Sequence, residues 1–111
     1  MDSLDKKYYR IREVSELIGV PASTLRFWET CFPEVAPARN DRGTRFYTPQ
    51  NIEKLRMVHY LVKDRGLKIE AAREQLRVNQ KGVAQRADAV ERLRRVRDKL
   101  QYMLDALTHR K

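Results

Sequence analysis

Three arginines, Arg39, Arg42 and Arg45, recur within seven residues around Asn40, Asp41, Gly43 and Thr44. Guanidinium groups at this density suit the grip of phosphate by forked N–H donors, and only Asp41 opposes them. A solubilising loop is the other reading of the same residues. A second set, Ser23, Arg26, Phe27 and Thr30, is spaced to share one side of a short helix. Arginine there can read guanine edges or clasp phosphate, and short hydroxyls suit either target. An ordinary solvated face is the alternative. Phe27 weighs against it, because an exposed aromatic usually has a partner, unless the ring packs beneath the arginine-rich loop.

Other chemistries lack their residues. No Ser/His/Asp or Cys/His set, phosphate-binding glycine loop or metal-ligand cluster occurs, so neither an enzyme nor a metal or cofactor is expected. Cys31 is the single cysteine, which excludes an intramolecular disulfide, and it reads as a semi-buried core residue. His59 lies far from it in sequence, and His109 stands near the C-terminus.

These residues need elements to hold them. Residues 1–8 are polar and patternless, a loose leader without the apolar core of a signal peptide. A short extended piece, Tyr9-Arg10-Ile11, precedes a helix with Ile11, Val14, Leu17 and Ile18 on one face, ended by Gly19. Gly19-Val20-Pro21 turns the chain into a second helix, about Ala22 to Cys31, with Leu25, Trp28 and Phe32 inward. Two short helices across such a turn fit a helix-turn-helix. Residues 33–47 break helical character, and the Asn-Asp-Arg-Gly reversal predicts a β-hairpin with Arg45-Phe46-Tyr47 returning.

Thr48-Pro49 starts a third helix to about Asp64, burying Ile52, Leu55, Val58, Leu61 and Val62, with Gly66 ending it. A fourth, about Lys68 to Leu76, turns Ile69, Ala72 and Leu76 inward. The domain thus spans residues 9–76, with residues 77–82 as a linker. From residue 83 to 109, Ala89, Leu93, Val96, Leu100, Met103 and Leu107 alternate spacings of four and three, a heptad seam for dimerisation that Val90 and Leu104 widen. The fold class is mainly α: a winged helix-turn-helix of four short helices and a hairpin, then a long coiled-coil helix.

Net charge is +9 over 111 residues, which points to a polyanion. Its distribution tempers that inference. Residues 1–47 hold 8 basic and 7 acidic groups, residues 48–80 hold 7 and 4, and residues 81–111 hold 9 and 4. The excess therefore sits mostly on the last helix, where Arg92, Arg94, Arg95, Arg97 and Lys99 read as a solvated face pairing partly with Glu91 and Asp98. Local charge at the hairpin carries the nucleic-acid reading. No apolar run approaches a membrane span, and a cytoplasmic, nucleoid-associated protein is expected.

The run Tyr9-x-Ile11, Glu13-Val14, Gly19-Val20 and Thr24-Leu25-Arg26-Phe27-Trp28-Glu29 resembles the start of bacterial MerR-type transcription regulators. Arg39…Gly43-x-Arg45-x-Tyr47 is similar to that family's wing. Thr48-Pro49-x-x-Ile52-x-x-Leu55 and Gly66-Leu67-x-Ile69-x-x-Ala72 resemble its later helices. The resemblance implies a homodimer joined by an antiparallel coiled coil, binding a pseudo-palindromic promoter in double-stranded DNA. It also implies distortion of that DNA, with RNA polymerase as a further partner. DNA contact carries over to Ser23, Thr24, Arg26, Phe27 and Trp28 on the recognition helix, and to Arg39, Arg42, Arg45 and Tyr47 on the wing, although helical geometry turns Trp28 inward.

Three departures stand out: Phe27 and Trp28 replace two usual tyrosines, Pro21 replaces a common capping serine, and residues 32–37 replace a shorter connection. A short form without a ligand-sensing domain is expected. Two other readings fit less well: an architectural, excisionase-like DNA-binding protein, and a protein-interaction adaptor using the coiled coil. The symmetric seam favours the regulator.

Overall fold

The computed structural model describes residues 6–109. Helix α1 (Ile11–Ile18) buries Val14 fully, with Ile11 and Ile18 packed beside it. Leu17, expected on the same face, is exposed, because the core meets only one side of these two turns. Gly19 closes the helix at φ 85°, where a side chain would be strained, and its N–H donates to the Ser15 carbonyl at 2.9 Å.

Helix α2 (Ala22–Cys31) follows from Pro21, whose carbonyl accepts the N–H groups of Thr24 (3.0 Å) and Leu25 (3.2 Å). Leu25, Trp28 and Phe32 are all buried, as their spacing requires. Burying each stabilises the fold by roughly 1.5–3 kcal/mol. Pro33–Val35 forms a 3₁₀ turn that lays Val35 and Phe32 against the next long helix.

Strands β1 (Ala38–Arg39) and β2 (Arg45–Phe46) pair antiparallel, Ala38 opposite Phe46 and Arg39 opposite Arg45. The Asn40 side chain builds the reversal by accepting the N–H groups of Arg42 and Thr44, each at 2.9 Å. Gly43 completes it at φ 78°. Tyr9 then bridges Tyr47 through N–H···O bonds of 2.8 Å in both directions, which lengthens the sheet. Of the expected extended piece only Tyr9 pairs; Ile11 is already helical. Of the expected leader, residues 1–5 lie outside the described residues, and Lys6 and Tyr8 contact the domain.

Helix α3 (Pro49–His59) begins at Thr48, whose hydroxyl accepts the Asn51 N–H (3.1 Å) while Asn51 Oδ1 accepts the Thr48 N–H (2.9 Å). It reaches the expected end, but residues Tyr60–Asp64 widen into a π turn, and Val62 is half-buried. Helix α4 (Ile69–Val78) buries Ala72 and Leu76, with Ile69 half-buried.

The expected linker, residues 77–82, is a correction. Only Asn79 interrupts helix, and α5 (Gln80–Thr108) starts immediately after it. The Asn79 side chain caps the new helix by accepting the Gly82 N–H at 3.3 Å, so a polar, glycine-bearing stretch is a helix start. The first third of α5 packs on the domain through Val83, Ala87 and Val90, and Arg94 pairs with Asp64 at the end of the π turn. The whole of α5 measures about 43 Å at 1.5 Å per residue. No described helix is long and apolar enough to cross a membrane.

Candidate nucleic-acid interface

Ser23, Arg26, Phe27 and Thr30 all lie exposed on the outward side of α2, with Phe27 54% accessible. The alternative in which Phe27 packs beneath the hairpin is excluded. Thr24 is half-buried. The Thr30 hydroxyl donates to the Phe27 carbonyl at 2.6 Å, which leaves its oxygen free to accept. Arg39 and Arg42 are exposed on the wing. Arg26, Arg39 and Arg42 pair with no carboxylate among the described residues, so their charge is available to an incoming anion.

Three residues carried over by resemblance do other work. Trp28 is 2% accessible and meets His59 edge-on, ring centres 6.3 Å apart, so it offers no surface to DNA. Tyr47 is fully buried; burial and the nearby Glu29 carboxylate push its phenol well above the usual range. Arg45 turns inward instead of outward. Its Nε donates to both oxygens of Glu29, at 2.7 and 3.0 Å, with side-chain accessibilities of 21% and 6%. This ion pair ties the wing to the recognition helix. An arginine suits the role because its guanidinium keeps its charge when partly buried, and here one Nε–H is shared between both carboxylate oxygens.

Glu29 itself went unread in the sequence, yet a signal existed. Spacing puts it on the inward face with Leu25 and Phe32, and a carboxylate there must find a cation. Lys7, Tyr8 and Arg10 also went unread. Arg10 sits over the Phe46 ring at 4.8 Å, Tyr8 meets the same ring edge-on at 6.2 Å, and Lys7 lies 5.5 Å from the Tyr8 ring. His59 is half-buried, and desolvation holds its imidazole below the usual value despite Asp64 nearby.

On α5 the six seam residues are solvent-exposed, Leu93 at 68%. Among the described residues no cluster of His, Cys, Asp or Glu could hold a metal ion.

Comparison with known proteins decides the family. Residues 9–78 match the model described as MerR HTH family regulatory protein. The chain belongs to that family. The matched segment covers helices α1 to α4 and the wing described above. It is 30% identical over 69 residues to the HTH-type transcriptional repressor CarA of Myxococcus xanthus, 61% of this chain and 24% of that protein. It is 32% identical over 72 residues to the regulator protein TubY of Clostridium botulinum C phage, 64% of this chain and 30% of that protein. The chain thus spans less than a third of the length of these relatives.

Two solved structures share the fold at TM-score 0.54. One is HiNmlR, a MerR family regulator lacking the sensor domain, bound to promoter DNA, at 23% identity with 88% of each chain covered. The other is the N-terminus of MtaN, the Bacillus subtilis multidrug transporter activator, at 22% identity with 92% and 99% covered. The winged helix-turn-helix with a long C-terminal helix is therefore the family architecture.

Proposed function

We propose that two copies of this chain bind a two-fold symmetric promoter site, placing one α2 in the major groove of each half-site and one wing beside it. The observation that carries this reading is the exposed row Ser23, Arg26, Phe27 and Thr30 next to a wing that the Glu29–Arg45 pair holds in place. Arg26 takes a base edge or phosphate, the hydroxyls take phosphate or bases, and Phe27 stacks on sugar or thymine methyl. Arg39 and Arg42 grip the flanking backbone. Trp28, Tyr47 and Arg45 support these groups from behind.

The seam supports a dimer. Its spacings of four, three, four, three and four read the same from either end. Antiparallel pairing centred on Asp98 sets Ala89 against Leu107, Leu93 against Met103 and Val96 against Leu100 of the second copy. It also brings Val90 near Leu104, the two residues that widen the seam. Half-sites separated by the rigid pair of helices favour a distorted duplex, and RNA polymerase at the promoter is the further partner. Such a role places the protein in the cytoplasm.

The test is fluorescence anisotropy on duplex DNA with Arg26→Ala and Arg42→Gln. Arg26→Ala lowers affinity and narrows the gap between specific and random duplex. Arg42→Gln flattens the salt dependence. Unchanged binding in both variants, with an intact fold, refutes this docking.

A further inference from the structure

The outward side of the wing carries a second charged surface. Side chains alternate along extended backbone. Tyr9 and Tyr47 bridge each other and point into the core, and Arg45 points to Glu29 on the same side. Tyr8, Arg10 and Phe46 therefore emerge on the opposite side of the sheet. There they assemble: Phe46 is flanked by Arg10 at 4.8 Å and by the Tyr8 edge at 6.2 Å, with Lys7 over Tyr8 at 5.5 Å.

Stacking on an aromatic face restricts a long cationic side chain while leaving its N–H groups open at the edges. The Glu13 carboxylate feels the Arg10 charge and is engaged directly by the Lys6 ammonium and the Arg10 backbone N–H. Lys7 and Arg10 are exposed, and neither is paired with a carboxylate side chain among the described residues.

We infer that Lys7 and Arg10, mounted on Tyr8 and Phe46, form a phosphate clamp that grips duplex DNA backbone on the side of the wing facing away from α2. This rests on the DNA-binding reading above and extends it. With Arg39 and Arg42 at the wing's strand and tip, the clamp lets the wing hold backbone from both its faces. Its cations contact phosphate and not bases, so it adds affinity without sequence preference.

The experiment measures binding of the full chain to fluorescent duplex DNA across a salt series. The duplexes are a random-sequence fragment and the best site selected from a random pool. Each lost phosphate contact reduces the log–log salt slope by about 0.9. The Lys7→Gln/Arg10→Gln variant should therefore lose close to two units of slope and bind about 10-fold more weakly at low salt, equally on both duplexes. Phe46→Leu, which keeps both charges but removes the stacking platform, should give an intermediate loss with an unchanged circular dichroism spectrum.

An unchanged slope in Lys7→Gln/Arg10→Gln, while Arg42→Gln still lowers it, overturns the clamp and leaves the DNA-binding reading standing. Unchanged slopes in both overturn that reading itself. A loss confined to the selected site shows base contact, which also contradicts a backbone clamp.

Discussion

Arg45→Ala should unfold the protein more readily before it says anything about DNA. The substitution removes both N–H···O contacts to Glu29 and leaves a carboxylate with 6% side-chain accessibility without its cation, beside the Tyr47 phenol. Hydrogen bonds to charged groups contribute about 1.5–3 kcal/mol, and breaking a fully buried ion pair costs about 3–5 kcal/mol. Arg45 is 21% accessible, so water enters part of the vacated space and the lower range applies. The expected loss is about 2–3 kcal/mol, or on the order of 10–20 °C in Tm for a domain of this size.

Glu29→Gln keeps the shape and leaves Arg45 near water, so its cost should be about 1 kcal/mol. In the double variant a neutral amide replaces the stranded charge, and part of the Arg45→Ala loss should return. Urea unfolding of the four proteins closes the cycle, with an expected coupling above about 1 kcal/mol. An Arg45→Ala protein within about 0.5 kcal/mol of the parent, with the loss confined to DNA affinity, would refute the anchor and return Arg45 to the DNA face.

Three other perturbations have defined outcomes. Leu93→Asp with Leu100→Asp places charges in the exposed seam, and sedimentation should report monomers; a persistent dimer means that another surface pairs the copies. His59 is held below its usual value of 6.5 by burial. Its neutral form is favoured in the folded state, so stability is full above that pH and declines as pH falls toward the lowered value. Thermal melts of His59→Asn should lose this decline, and an identical acid slope in both proteins would count against it. Asn79→Ala removes the cap on Gly82, costing about 1 kcal/mol and speeding amide exchange at the start of α5, with no change expected in the melting of a protein whose helix is capped by water alone.

Helical spacing made most of the scaffold legible. Leu25, Trp28 and Phe32 repeat at the helical period, so their burial and the outward turn of Arg26 and Phe27 could be read from order alone. The hairpin was legible because Asn40 and Gly43 each have a local reason to reverse the chain. Long-range pairing was less visible. Arg45 looked like its neighbours Arg39 and Arg42, and only the Glu29 carboxylate, sixteen residues upstream, distinguishes it. The stacking of Arg10 on Phe46 likewise depends on the Tyr9–Tyr47 bridge that brings the strands together. Asn79 and Gly82 misled for a different reason: the same residue types that loosen a linker also cap a helix.

The central claim is symmetric, sequence-specific recognition by paired α2 helices. Selection of bound sites from random-sequence DNA tests it most directly. The account predicts enrichment of an inverted repeat whose half-sites lie a fixed distance apart, with Arg26→Ala relaxing preference at a matching position in each half. Retention of DNA with no enriched motif, or an enriched single half-site without its inverted mate, would contradict it.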